Sequence, residues 1–376
     1  MDLITYLTRI QFGAGALSCL PAELGMLGAG APLILTDRGV VAAGLAGRVS
    51  AMLPSRSPIF DETPGNPTEA AMRQAAAVYR DGGCDSIVAV GGGSSIDLAK
   101  AVALIVSHPE PLAQYAAILG GLPRITAAMP PVIAIPTTAG TGSEVGRAAL
   151  ITLGDGRKLG FISPHLIPNL AICDPELTLG LPPLLTAATG MDAISHCIET
   201  FLSPRFNPPA DAIALDGLAR AVRWLPQAFA DGGNLEARSE MMMAALQGGM
   251  CFQKGLGAVH AMSHPLGGLE TPRLHHGTLN AVIMPAVLRM NADAAGAKYV
   301  RLRAAIGLGR DADLAAFVED FNRRLGLPAS LTAMGVPADC LPRMIEGAVL
   351  DHSSATNPQP MTRDDYAVLF DQAMAG

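Results

Sequence analysis

The period of apolar and polar positions changes near residue 180. Before it, short continuous apolar runs recur: PLILT (32–36), SPIF (57–60), SIVAV (86–90) and PVIAI (131–135). Runs of this length read as strands buried on both faces. Between them the spacing predicts helices over 39–53, over 67–81 and from a Gly-rich turn to about Val106. Strands alternating with helices in this way predict parallel βαβ units with helices on both faces of a sheet. AALITLGDGRKLGFIS (148–163) carries a Gly-Asp-Gly turn between two runs, which predicts a hairpin, the one antiparallel element expected.

After LGLPPLLTAATG (179–190) the β-branched clusters thin out, and Ala, Leu and Met recur at helical spacing to the end. A chain of 376 residues is long for one core. The expected division is an α/β domain over 1–181 and an all-helical domain over 182–376.

Half of the residues are hydrophobic and 16% are charged, enough to bury a large core. The apolar excess suggests a covered face, and hence a homodimer or larger homo-oligomer. The net charge of −7 comes with no basic run, which argues against a nucleic-acid partner or a polybasic membrane patch. No apolar run reaches the length of a membrane span. The start, MDLITYLTRI, has neither the charged region nor the apolar core of a signal peptide. The six cysteines are scattered with no CxxC pair, so a reducing, cytoplasmic setting is expected.

Two loops have the chemistry of phosphate cradles. GGGSSIDLAK (91–100) follows one apolar run and opens a helix. Glycines let the backbone approach a phosphate, and a helix N-terminus offers free N–H groups. It is neither a P-loop nor a GxGxxG fingerprint. PTTAGTGSEV (136–145) follows another run and places Thr137, Thr138, Thr141 and Ser143 in a Gly-punctuated loop. Two such loops at the carboxyl ends of strands mark where a nucleotide lies in an α/β sheet. Asp37 ends PLILTD and has two readings, a ribose-binding carboxylate favouring NAD or the cap of the next helix.

In TGMDAISHCIET (189–200), Asp192 and His196 stand four apart, on one helical face. HAMSH (260–264) repeats that spacing with two histidines, and RLHHG (273–277) adds His275 and His276. Alone, an Asp/His pair is more often a hydrogen-bonded core pair, and HxxxH a solvated face. HExxH is absent because Ala261 holds the glutamate's place. Taken together, a carboxylate and several imidazoles suit Fe²⁺ or Zn²⁺. The expected place for such a centre is beside the nucleotide, between the two domains.

Motifs in this order resemble the iron-containing (group III) alcohol dehydrogenase family over essentially the whole chain. They are FGAG (12–15), TD (36–37), NPT (66–68), GGGSSIDLAK, PTTAGTGSEV, DPELT (174–178), TGMDAISHCIE, HAMSHPLGG (260–268) and HHGTLNAVIMP (275–285). The resemblance implies an N-terminal Rossmann-like α/β domain and an all-α C-terminal domain, the dehydroquinate synthase-like arrangement. It implies metal ligation by Asp192, His196, His260 and His276, with His264 near the reacting centre and acting as proton relay. It implies NAD contacts from Asp37, Asn66, Gly92, Gly93, Ser94, Thr137, Thr138, Ser143 and Lys158. The segment ETPRL (270–274) makes the stretch between His264 and His276 slightly longer than in propanediol-type members, and the resemblance places the last ligand at the histidine directly before Gly277.

Within the family, ITYLTRIQFGAGAL (4–17), FDETPGNPTEA (60–70), FQKGLGAVH (252–260) and LHHGTLNAVIMPAVLRMNADA (274–294) are similar to members that oxidise 4-hydroxybutyrate with NAD. Dehydrogenases of 3-hydroxypropionate, lactaldehyde or simple primary alcohols are the alternatives. A non-catalytic nucleotide- or metal-binding protein is a further one. A hydroxy acid needs a cation for its carboxylate. Lys254, in FQKG, is the candidate, ahead of Arg147 and Arg273.

Overall fold

The computed structural model describes residues 8–53 and 57–376, so the first residues of the ITYLTRI segment lie outside the described residues. The described chain divides into two compact units, one covering residues up to Thr138 and Gly142–Gly180, the other covering Ala139–Thr141 and Leu181–Gly376. The division is not a single cut. Three residues of the PTTAGTGSEV loop belong with the helical unit.

The first unit runs β1 (Arg9–Phe12), α1 (Leu20–Met26), β2 (Pro32–Leu35), α2 (Arg38–Ala42), α3 (Leu45–Ser50), β3 (Ile59–Phe60), α4 (Glu69–Asp81), β4 (Ser86–Gly91), α5 (Gly93–Ser107), β5 (Val132–Pro136), β6 (Ala148–Thr152), β7 (Lys158–Ile162) and β8 (Leu170–Cys173). Six strands form one sheet in the order β1-β8-β5-β4-β2-β3, and every neighbouring pair is parallel. The α/β expectation therefore holds. Residues of β2, β4 and β5 alternate between two apolar clusters, Leu33 and Ile87 on one side, Ile34 and Val88 on the other. That is why these strands carry no polar face. β6 and β7 form the expected antiparallel hairpin.

The predicted helix over 39–53 is two helices, because Gly44 stands at φ +77° between α2 and α3. β1 and β8 also extend the sheet beyond the strands expected. They pair from Arg9 with Leu170 to Phe12 with Cys173, so two short runs far apart in sequence become one edge.

The second unit contains α6 (Pro183–Leu202), α7 (Pro208–Ala230), α8 (Leu235–Cys251), α9 (Ala258–Leu266), α10 (His276–Asn291), α11 (Gly296–Ala305), α12 (Leu314–Arg324), α13 (Leu341–Leu350) and α14 (Arg363–Ala375). Helix α6 is the centre. It packs against α7, α8 and α10, and from Thr186 to Leu202 every residue is buried. A helix apolar all round is one surrounded by others. Asp192 and His196 are therefore polar groups inside a core, where each needs a partner.

Candidate metal centre and nucleotide loops

Three imidazoles converge on one carboxylate oxygen. Asp192 Oδ1 lies 3.8 Å from His196 Nε2, 3.9 Å from His260 Nε2 and 3.7 Å from His276 Nε2. Asp192 and His196 come from successive turns of α6, His260 from the first turn of α9 and His276 from the start of α10. Gly277 makes the last approach possible. A Cβ there would stand 2.2 Å from the carbonyl oxygen of Ala188, so only glycine lets α10 start against α6. The HHG triplet thus delivers His276 to Asp192. His275 is exposed as the residue before α10.

Three of the four side chains are shielded from solvent. Asp192, His196 and His260 are buried, whereas the His276 side chain keeps 24% of its surface open. Burial pushes the His196 imidazole down to about 4, against the pull of Asp192. His260 is shifted upward instead: burial opposes its charge, but Glu199, Asp192 and Asp351 together outweigh that. Glu199 Oε2 accepts the Nδ1–H of His260, while Oε1 accepts the Val259 N–H at 2.7 Å. This leaves the His260 Nε2 lone pair turned toward Asp192. Four acceptor atoms therefore face one another, and the protons among them come from the amide of Asn280, which meets three of the four. Acceptors gathered without enough donors suit a cation, and one carboxylate with three imidazoles suits Fe²⁺ or Zn²⁺.

His264 follows His260 by one turn. Its ring stacks on His276 at 5.6 Å and meets His260 edge-on at 5.7 Å. Its Nδ1 donates to Asp351 Oδ2 at 2.8 Å, and His352 stacks on its other face at 5.6 Å. Burial lowers the His264 imidazole, and Asp351 only partly restores it. Asp351 itself is held well below the usual carboxylate range, with His264 and His352 outweighing its burial.

Glu199, Asn280 and Asp351 escaped the sequence reading. Glu199 and Asn280 had a local signal. Glu199 continues the Asp192–His196 face by three residues, and Asn280 follows His276 by four. Asp351 had none.

Lys254, the candidate for a substrate carboxylate, lies inside the helical unit. Its side chain is fully buried and bonded to Asp211, and it also donates to the carbonyl of Phe201 at 3.3 Å. Lys298 donates to the carbonyls of Leu202 and Ser203. Two ammonium groups thus satisfy the last carbonyls of α6. The Lys254 ammonium is thus already partnered within the helical unit.

In the sheet unit, Gly91 ends β4 at φ +152°. A Cβ there would stand 2.5 Å from Ser95 Oγ. Gly92 is the N-cap of α5, and Gly93 its first residue. Thr138 lies against Gly92, where an added Cβ would stand 3.2 Å from Oγ1, and the Thr137 N–H bonds the Gly91 carbonyl at 3.0 Å. Asp37 is the cap of α2, with Oδ1 accepting the Val40 N–H, and its Oδ2 accepts from Ser95 Oγ at 3.4 Å. Lys158 Nζ donates to Asn66 Oδ1 at 3.0 Å, and Ser94 Oγ to the carbonyl of Gly65. Ser143 is buried in its loop. Its hydroxyl donates to Asp97 and accepts from Lys100 Nζ at 2.8 Å, turned inward as a brace for its loop.

The model of the iron-containing alcohol dehydrogenase family matches residues 8–175, and that of the family's C-terminal region matches 186–374. The chain belongs to this family, and is an NAD-dependent iron alcohol dehydrogenase. Over its full length it is 56% identical to 4-hydroxybutyrate dehydrogenase of Cupriavidus necator, covering 100% of both chains. Among solved structures it is similar to 1,3-propanediol oxidoreductase, with TM-score 0.91, 35% identity and coverage of 99% and 100%. It is also similar to a sulfoacetaldehyde reductase from Bifidobacterium kashiwanohense in complex with NAD⁺, with TM-score 0.88, 28% identity and coverage of 99% and 98%.

Proposed function

We propose that the enzyme interconverts 4-hydroxybutyrate and succinate semialdehyde, with NAD as hydride carrier and Fe²⁺ held by Asp192, His196, His260 and His276. The observation that carries the site is the convergence of three Nε2 atoms on Asp192 Oδ1. The full-length likeness to the Cupriavidus necator enzyme supports the substrate. An ion bound there supplies Lewis acidity, which lowers the pKa of an alcohol hydroxyl. His196 stays neutral near pH 7 and is available as a donor, because burial holds its imidazole down at about 4. His264 is the proton relay: Asp351 holds its Nδ1–H, which leaves Nε2 to take the proton.

Asp37, Asn66, Gly92, Gly93, Ser94, Thr137, Thr138 and Lys158 are proposed to hold NAD. The Asp37 carboxylate would repel the additional phosphate of NADP. The protein is proposed to work in the cytoplasm as a homo-oligomer. The cysteines are free thiols. Among the described residues no helix is long and apolar enough to cross a membrane.

The test is NADH formation by iron-loaded protein with hydroxy acids of graded length and with 1-butanol. The value of kcat/KM is expected to peak at 4-hydroxybutyrate by about tenfold or more. A peak at a diol or at lactaldehyde's alcohol would move the substrate elsewhere in the family. Inactivity with every alcohol would favour a binding protein.

A further inference from the structure

Asn280 is fully buried on α10, four residues after His276. Its Nδ2 lies 2.7 Å from Asp192 Oδ1, 3.2 Å from His260 Nε2 and 3.2 Å from His276 Nε2. On the other side of the amide, Oδ1 is buried and has no hydrogen-bond partner. An orphaned buried carbonyl oxygen is unfavourable, so something must hold the amide this way round. The contacts explain it. Turned over, the amide would set its oxygen against a carboxylate oxygen and two imidazole nitrogens. As it stands, N–H groups face all three. An amide nitrogen has two protons for these three acceptors. The anionic one, Asp192, makes the shortest contact and the charge-assisted bond.

We propose that Asn280 is a positioning residue of the metal centre. Its N–H holds Asp192 Oδ1 in the orientation that faces the three imidazoles. This rests on the reading of Asp192, His196, His260 and His276 as ligands. Outer partners of this kind set ligand orientation and metal affinity. The role differs from that of Glu199, which acts on His260 through Nδ1, and it concerns the carboxylate.

The test uses Co²⁺, whose visible absorption reports ligand geometry, on the full-length protein. Asn280→Leu keeps a similar branched shape and loses the donor, and Asn280→Ala removes the group. Both are expected to raise the Co²⁺ Kd by roughly 10- to 100-fold and to change the visible spectrum. Metal-free variants should unfold near the wild-type temperature. A Kd within about twofold of wild type, with an unchanged spectrum in a folded variant, overturns the proposal. If neither variant folds, the structure of the Zn²⁺-loaded wild type decides: an Asn280 amide turned away from Asp192 overturns it, and a retained Nδ2–Oδ1 bond supports it. Asp192→Ala separates the two readings. If it binds Co²⁺ as the wild type does, the ligand assignment itself falls, and this inference with it.

Discussion

Glu199 grips the α9 segment at two consecutive residues, taking the Nδ1–H of His260 on one carboxylate oxygen and the backbone N–H of Val259 on the other. This fixes both the ring of His260 and the start of the helix that carries it. Glu199→Gln is therefore expected to weaken metal binding by roughly 10- to 100-fold, with the helical content unchanged. Metal titration with circular dichroism checks it. Unaltered affinity would reduce the contact to packing.

Asp192→Ala should lose the metal, and hydride transfer with it, because all three Nε2 atoms converge on Asp192 Oδ1. NADH binding, followed by fluorescence, should stay close to wild type. The proposed cofactor residues belong to the sheet unit, whereas Asp192 belongs to the helical one. Loss of NADH binding would contradict that separation.

Lys254→Met should act on stability and not on selectivity. It strands Asp211 and leaves the Phe201 carbonyl without its ammonium partner. Removing the ammonium from this part-buried pair costs roughly 1–3 kcal/mol. Denaturant unfolding should show this loss, while kcat/KM for 4-hydroxybutyrate and for 1-butanol change in parallel. A selective rise in KM for the hydroxy acid would restore Lys254 as a substrate residue.

Glu144, in the loop after β5, makes stability depend on pH. Burial pushes its carboxyl up to about 7. A carboxyl raised on folding stabilises the fold most below its unfolded value. That stability is lost as pH rises through the folded one. Unfolding free energies of wild type and Glu144→Gln should therefore diverge between about pH 4.5 and 7, with the wild type losing roughly 3 kcal/mol relative to the variant. A constant difference across that window would refute it. Lys100, lowered by burial to about 8, titrates above this range.

Asp37→Asn separates the cap of α2 from the proposed discrimination against NADP. Asparagine keeps an oxygen for the Val40 N–H, so the cap of α2 and the melting temperature should be retained. The charge is gone, so kcat/KM with NADP should rise by about tenfold or more relative to NAD. An unchanged ratio would leave Asp37 as a cap alone.

Local spacing was enough to reveal the alternating strands and helices of the first half, the helical second half, and the shared face of Asp192 and His196. Each depends on residues a few positions apart, where the period of the backbone decides who is neighbour to whom. Tertiary structure decided the rest. It broke the expected helix at Gly44 and assigned Ala139–Thr141 to the helical unit. It paired His260 with Glu199 across 61 positions and Asn280 with Asp192 across 88. It also turned Lys254 from an available cation into a buried partner of Asp211. A polar residue in an apolar run announces that it needs a partner when buried. Which partner it finds depends on how the helices pack, and no local pattern records that.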